Sequence, residues 1–410
     1  MRMPAGQFTT GPNHVVWASV NTVTDPWMRT VPASTHRSER HNHAKELHPM
    51  KAARFYDRND IRIEDIPAPE AAAGEVLVKV AWCGICGTDL HEYLDGPIFC
   101  PQHGHPHPIS GEDSPVTLGH EFSGVVEALG EGVDDLEVGD HVVVEPYIIR
   151  DDVYTGPDSK DYHLSKDMNF IGLAGRGGGL SEKVAVKRRW VHKIPNNIPL
   201  DEAALIEPLS VGYHAVERAG EFEEGAFALV TGAGPIGLLT SAVLKAKGAK
   251  VIISELSPLR RQKALDSGVA DYAFSPAEVD VLAEIHKLTD GRGADIAFEC
   301  TSVQPALDLI LDALKPTGKV VIVSIWGKPA SLDVQKVVLK ELDIRGTIAY
   351  VNSHPETIKL VESGKIDLKP FITGKIAVED LIDKGFDTLI NHNETAVKIL
   401  VTTDPERLAE

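Results

Sequence analysis

From residue 50 the chain alternates between apolar and polar positions, or runs apolar, over the short stretches 51–56, 61–64, 75–82, 125–129 and 141–145. Successive side chains on a strand point to opposite faces, so such stretches bounded by proline and glycine breaks predict strands. Turn signals at Gly130-Glu131-Gly132 and Gly139-Asp140 punctuate them at close intervals, which predicts a compact antiparallel or barrel-like β domain. Beyond about residue 206 the rhythm changes. An apolar run at 226–231 meets a glycine turn, and 236–247 then repeats with a helical period. A strand at 250–254 follows, with further strands predicted at 294–299, 319–325 and 342–348 and helices at 277–288 and 304–314. Repeated strand–helix units predict an α/β region built on a parallel, doubly wound sheet. After Tyr350 the alternation stops. The resulting division is an N-terminal extension (1–49), a mainly-β region (50–205), the doubly wound region (206–350) and a C-terminal return to the first domain (351–410).

Composition narrows what such a chain can do. With 410 residues and 43% hydrophobic content it can bury two cores, and no segment reaches the apolar length of a membrane span. A net charge of -19 disfavours nucleic acid and anionic membranes as partners, both of which reward a basic face. A small-molecule substrate is the better expectation. Of the four cysteines, Cys83, Cys86 and Cys100 fall within eighteen residues and Cys300 stands apart. That is a poor disulfide framework and points to a reducing, cytoplasmic setting. The first 49 residues carry Arg2, Arg29, Arg37, Arg40 and Lys45 against Asp25, Glu39 and Glu46. A mitochondrial transit peptide is one reading; lacking an amphipathic arginine-bearing helix, the stretch fits a disordered tail or an upstream start better. His41, His43 and His48 there are read as carrying no function.

The glycine turn is Gly232-Ala233-Gly234-Pro235-Ile236-Gly237, a G-x-G-x-x-G between a predicted strand and a predicted helix. Gly232 permits the tight turn, Gly234 lets backbone approach a pyrophosphate at the helix N-terminus, and Gly237 allows close helix–strand packing. Glu255 ends the next strand, where an acid meets the adenosine ribose hydroxyls and repels a 2'-phosphate, favouring NAD over NADP. Arg260 and Arg261 lie just downstream and would hold a phosphate if turned inward.

A second constellation runs from Cys86-Gly87-Thr88-Asp89-Leu90-His91 to Gly119-His120-Glu121. It offers thiolate, imidazole and carboxylate for one tetrahedral zinc, with Glu207 as a further carboxylate. Cys83 and Cys86 form a C-x-x-C, but Cys100 and Cys300 make no second pair for a structural tetrathiolate. A single catalytic site remains.

These motifs, with Asp95-Gly96-Pro97-Ile98-Phe99, Ile206-Glu207-Pro208-Leu209-Ser210-Val211 and Lys384-Gly385-Phe386, resemble the zinc-dependent medium-chain dehydrogenase/reductase family, over nearly the whole chain except residues 1–49. The resemblance implies a Rossmann domain beside a mainly-β GroES-like catalytic domain, and zinc held by Cys86 and His120 with carboxylates that fall on Glu121 and Glu207, which of the two binds varying across the family. It implies oxidation of a secondary alcohol, with zinc lowering the pKa of the substrate hydroxyl and hydride passing to NAD. Among its members the chain most resembles those acting on (R,R)-2,3-butanediol, ahead of polyol (sorbitol or xylitol) dehydrogenases. Thr88 and His91 then correspond to the proton relay through the cofactor ribose, and Asp89 is placed to orient the His120 ring. A homodimer or homotetramer is implied. A nucleotide-binding relative without chemistry is the reading from another class, and the intact set of Cys86, Thr88, His91, His120, Glu121 and Glu207 opposes it.

Many members carry a cysteine loop for a structural zinc; here 146–170 has no cysteine, so one zinc per chain is expected. Asp151, Asp152, Asp158, Asp161 and His163 are read there as a solvated loop. The run 100–108, with His103, His105 and His107 among prolines and glycines, is read as a mobile loop over the substrate entrance.

Overall fold

Alternation of apolar residues becomes alternation of cores in the computed structural model, which describes residues 49–394 and 396–409. Among the described residues, six parallel strands form one sheet in the order Tyr272–Phe274, Lys250–Ser254, Phe227–Thr231, Ala294–Glu299, Leu314–Ile322, Asp343–Gly346. Ala228 and Val230 enter one apolar cluster while Leu229 enters another, and Val251 and Ile253 part from Ile252 in the same way. Both faces of the sheet are therefore covered, as a parallel sheet requires. Numbered along the chain the order is 3-2-1-4-5-6, the dinucleotide-binding arrangement, with its switch point between Phe227–Thr231 and Ala294–Glu299.

Local chemistry trims the expected elements. The helix expected from 277 begins at Val281, because the Asp280 carboxylate accepts the Ala283 N–H at 3.0 Å and caps it. The strand expected from 319 begins at Leu314, with a register shift against its neighbour. Helices Gly87–Asp95 and Ile206–Ala219 were not anticipated.

A second sheet has the order Val191–Lys193, His141–Val144, Glu121–Leu129, Glu75–Gly84, Lys398–Thr402, Ile372–Ala377, and Lys183–Lys187 also pairs with Glu75–Gly84. The two C-terminal strands thus lie in the sheet begun by the first half of the chain. Its register positions the chemistry. Gly84 lies opposite Glu121 and also opposite Leu400, so Cys86, His120 and Lys398, each within two residues of that crossing, converge. A Cβ on Gly84 would collide with the Glu121 carboxylate, so only glycine leaves that carboxylate its place. The expected extension at 1–49, with His41, His43 and His48, lies outside the described residues except for Pro49, which opens the first strand, Pro49–Asp57. No helix among the described residues is long and apolar enough to cross a membrane.

Candidate active site

Cys86 is the N-cap of helix Gly87–Asp95. Its backbone N–H donates to Asp89 Oδ2 at 2.8 Å, the third-residue half of a capping box. The other carboxylate oxygen, Oδ1, lies 3.5 Å from His120 Nδ1. One buried acid therefore caps the start of the helix and faces the imidazole. Cys86 Sγ lies 3.8 Å from Thr88 Oγ1.

Ligand atoms of Cys86, His120 and Glu121 lie within 4.8 Å of one another. Burial resists charging His120, yet Asp89 and Cys86 raise its pKa well above the usual histidine value. His120 Nδ1 and Asp89 Oδ1 are buried with no hydrogen-bond partner. A soft thiolate, an imidazole and a carboxylate, packed where burial penalises bare negative charge, suit zinc.

Both carboxylates expected at the metal are held by residues the sequence did not flag. Lys398 Nζ donates to Glu121 Oε2 at 2.5 Å and Oε1 at 2.8 Å, and to the Ile85 carbonyl at 3.0 Å. Glu207, second residue of helix Ile206–Ala219, accepts the Tyr350 hydroxyl at Oε1, 2.6 Å. Burial pushes the Glu207 carboxyl up to about 7, with His120 opposing and Glu121 adding to the rise. Glu207 is not in the three-residue ligand group. A lysine inside the apolar run Ala396-Val397-Lys398-Ile399-Leu400-Val401 was the available signal for Lys398; Tyr350 had none.

His91 sits three residues after Thr88 on the same helix, exposed at the surface. At the other sheet, Gly232 has φ 87° and its N–H donates to the Ser254 carbonyl. A Cβ on Gly237 would strike the Gly232 carbonyl, whereas one on Gly234 would meet open space. Gly234 is the N-cap of helix Pro235–Ala246, so Pro235 and Ile236 form the helix N-terminus that follows the glycine turn. The Glu255 carboxylate accepts the Ala233 N–H at 2.7 Å and the Ser257 N–H at 2.8 Å. Arg260 Nη2 donates to the Asn393 carbonyl at 2.9 Å, and Arg261 Nη1 to the Glu255 and Leu256 carbonyls. Both guanidinium groups are thus engaged with backbone.

Two further stretches differ in part from expectation. Asp151, Asp152, Asp158 and Asp161 are exposed, but His163 is buried, its ring 5.0 Å from that of His214. It packs inward because helix Ile206–Ala219 offers an imidazole face there. The 100–108 run is turn-rich and hydrogen-bonded: His103 Nδ1 lies 3.1 Å from the Ser114 carbonyl and the Gly104 N–H donates to Asp113 Oδ2 at 2.6 Å. Its histidines are in neither metal-capable group among the described residues. The second such group is Glu145, His192 and His354. There Glu145 already accepts from Tyr162, from His192 Nε2 at 2.9 Å and from Arg189 Nη1 at 3.4 Å, so a guanidinium supplies the positive charge.

Residues 72–196 match the alcohol dehydrogenase GroES-like domain and residues 235–363 the zinc-binding dehydrogenase family. An (R,R)-butanediol dehydrogenase from Neisseria gonorrhoeae is 68% identical over 352 residues, covering 86% of this chain and 99% of the relative. The chain belongs to the zinc-binding dehydrogenase family. The crystal structure of 2R,3R-butanediol dehydrogenase from Bacillus subtilis superposes with a TM-score of 0.81 at 44% identity, covering 87% of this dehydrogenase and all of that chain. A sorbitol dehydrogenase from Bacillus subtilis is 33% identical over 86% of this chain and 97% of its own. The dehydrogenase accordingly joins a GroES-like domain to a Rossmann domain.

Proposed function

We propose that this dehydrogenase oxidises (R,R)-2,3-butanediol to acetoin with zinc and NAD, and runs the reverse reduction when metabolite ratios favour it. The observation that carries the reading is the 68% identity, across 99% of its length, to a relative of that name, against 33% to a sorbitol dehydrogenase. A polyol is therefore the second choice of substrate.

Cys86, His120 and one or both of Glu121 and Glu207 hold the metal. When bound, zinc supplies Lewis acidity at the substrate oxygen and NAD accepts the hydride from the carbinol carbon. Thr88 would accept the hydroxyl proton while releasing its own along the relay, and exposed His91 would hand a proton to water. Asp89 keeps the His120 ring oriented. Gly232, Gly234, Pro235, Ile236 and Gly237 seat the pyrophosphate, and the Glu255 charge, steadied by two backbone N–H groups, favours NAD over NADP. Arg260, five residues after Glu255, is assigned to the same cofactor site. One zinc per chain is supported by the lack of a second cysteine set and by Arg189 beside Glu145. Free thiols at all four cysteines support a cytoplasmic enzyme, and the family resemblance supports a homodimer or homotetramer.

The test is the initial rate of NAD reduction with stereopure butanediols, sorbitol and xylitol. A preference for (R,R)-butanediol supports the reading; faster polyol turnover replaces it with the second choice.

A further inference from the structure

The helix carrying Thr88 and His91 also carries Glu92, which the chemistry above does not use. Its side chain is fully buried. The carboxylate accepts three consecutive backbone N–H groups, from Ile98 at 2.8 Å, Phe99 at 2.5 Å and Cys100 at 3.4 Å. On the other side of this short loop, Asn169 Nδ2 donates to the Phe99 carbonyl at 3.0 Å. The residue after Asn169 is Phe170, whose ring stacks on that of the metal-site His120, with centroids 6.0 Å apart and planes 27° apart.

The backbone of the loop is thus fastened between the helix of the proton relay and Asn169, the residue before the ring that lies on His120. Its two large apolar side chains nevertheless remain open, Ile98 at 53% and Phe99 at 41% exposure. A buried carboxylate spent on three loop amides fixes the backbone, and what it holds in place is an Ile-Phe pair that would otherwise gain by collapsing inward.

We propose that Glu92 is a positioning residue for substrate selection: it holds Ile98 and Phe99 as an apolar wall beside the metal site, against which the terminal methyl groups of a small vicinal diol pack. The inference rests on the diol reading above. A polyol would present hydroxyl-bearing carbons to a surface without donors or acceptors, and discrimination of this kind reaches about 10–100-fold.

The experiment compares kcat and KM for (R,R)-butanediol and sorbitol in the full-length enzyme and in Ile98→Ala, Phe99→Ala and Glu92→Gln, with zinc content and assembly size measured alongside. The butanediol-to-sorbitol ratio of kcat/KM should fall about tenfold in Ile98→Ala or Phe99→Ala, chiefly through KM for butanediol, at unchanged zinc content. Glu92→Gln should move the ratio the same way without changing KM for NAD. If Glu92→Gln does not fold, the two exposed-site variants still decide. Ratios within twofold of the wild type in both would overturn the proposal, as would a changed assembly size with an unchanged ratio, which would make the pair a subunit contact. A wild-type enzyme that does not oxidise the diol removes the functional reading itself, a failure distinct from retained ratios.

Discussion

Replacing Glu145 by glutamine tests whether the buried cluster behind the active site holds the enzyme together. The Glu145 side chain has no exposed surface and accepts from Tyr162, His192 and Arg189. Burial alone would raise its pKa; the hydrogen bond from His192 and the charges of His354, His192 and Arg189 reverse this and bring it from 4.5 to about 2. That gap corresponds to ~3 kcal/mol of stability at neutral pH. Breaking a buried ion pair by removing one partner costs about 3–5 kcal/mol, a separate route to the same size. In a chain of this length the loss lowers the melting temperature by about 3–6 °C. Because the folded-state pKa lies below the ordinary one, the unfolded chain binds more protons between them. The stabilisation is complete above the ordinary value and is lost as pH falls toward 2. Thermal melts of wild type and Glu145→Gln should therefore differ most at neutral pH and converge only as pH approaches about 2. A neutral-pH difference under about 1 °C, or one that does not shrink on acidification, would refute this account of the cluster.

Further outcomes follow from the same contacts. Burial holds His214 neutral, down at about 4, with His163 and Arg218 adding to the shift; stability should fall as pH drops below the ordinary 6.5, and His214→Gln should flatten the melting temperature between pH 7 and 5, an unchanged slope counting against it. Tyr350→Phe removes the hydroxyl that fixes Glu207 and should speed zinc loss to a chelator by about tenfold; an unchanged rate would show that Glu207 needs no such anchor. Glu255→Ala frees the Ala233 and Ser257 amides and should raise KM for NAD while lowering the preference over NADP by about tenfold. Equal coenzyme preference in variant and wild type would remove Glu255 from that role.

Elements with a strong apolar period were legible because local pattern and final burial coincide. The strands Lys250–Ser254 and Ala294–Glu299 have the expected bounds, each sending alternate residues to two cores. Cys86, His120 and Glu121 were legible because their residue types are unusual donors in short, recognisable runs, and the Gly84–Glu121 pairing brings them together. What the sequence hid depends on long-range placement. Lys398 reaches Glu121 across 277 positions and Tyr350 reaches Glu207 across 143. Glu145, His192 and His354 come from three separate segments, and His163 reads as a loop residue until helix Ile206–Ala219 packs against it. Helix Gly87–Asp95 was hidden because its capping box, Cys86 to Asp89, uses neither the Ser or Thr nor the Glu or Gln that marks such a start in sequence.

The most direct measurement of the central claim is NADH formation from (R,R)-butanediol before chelation, after it, and after stoichiometric zinc is returned. The account predicts activity that falls with the bound metal and recovers in proportion to zinc restored, at about one ion per chain. Full activity in metal-free enzyme would contradict it.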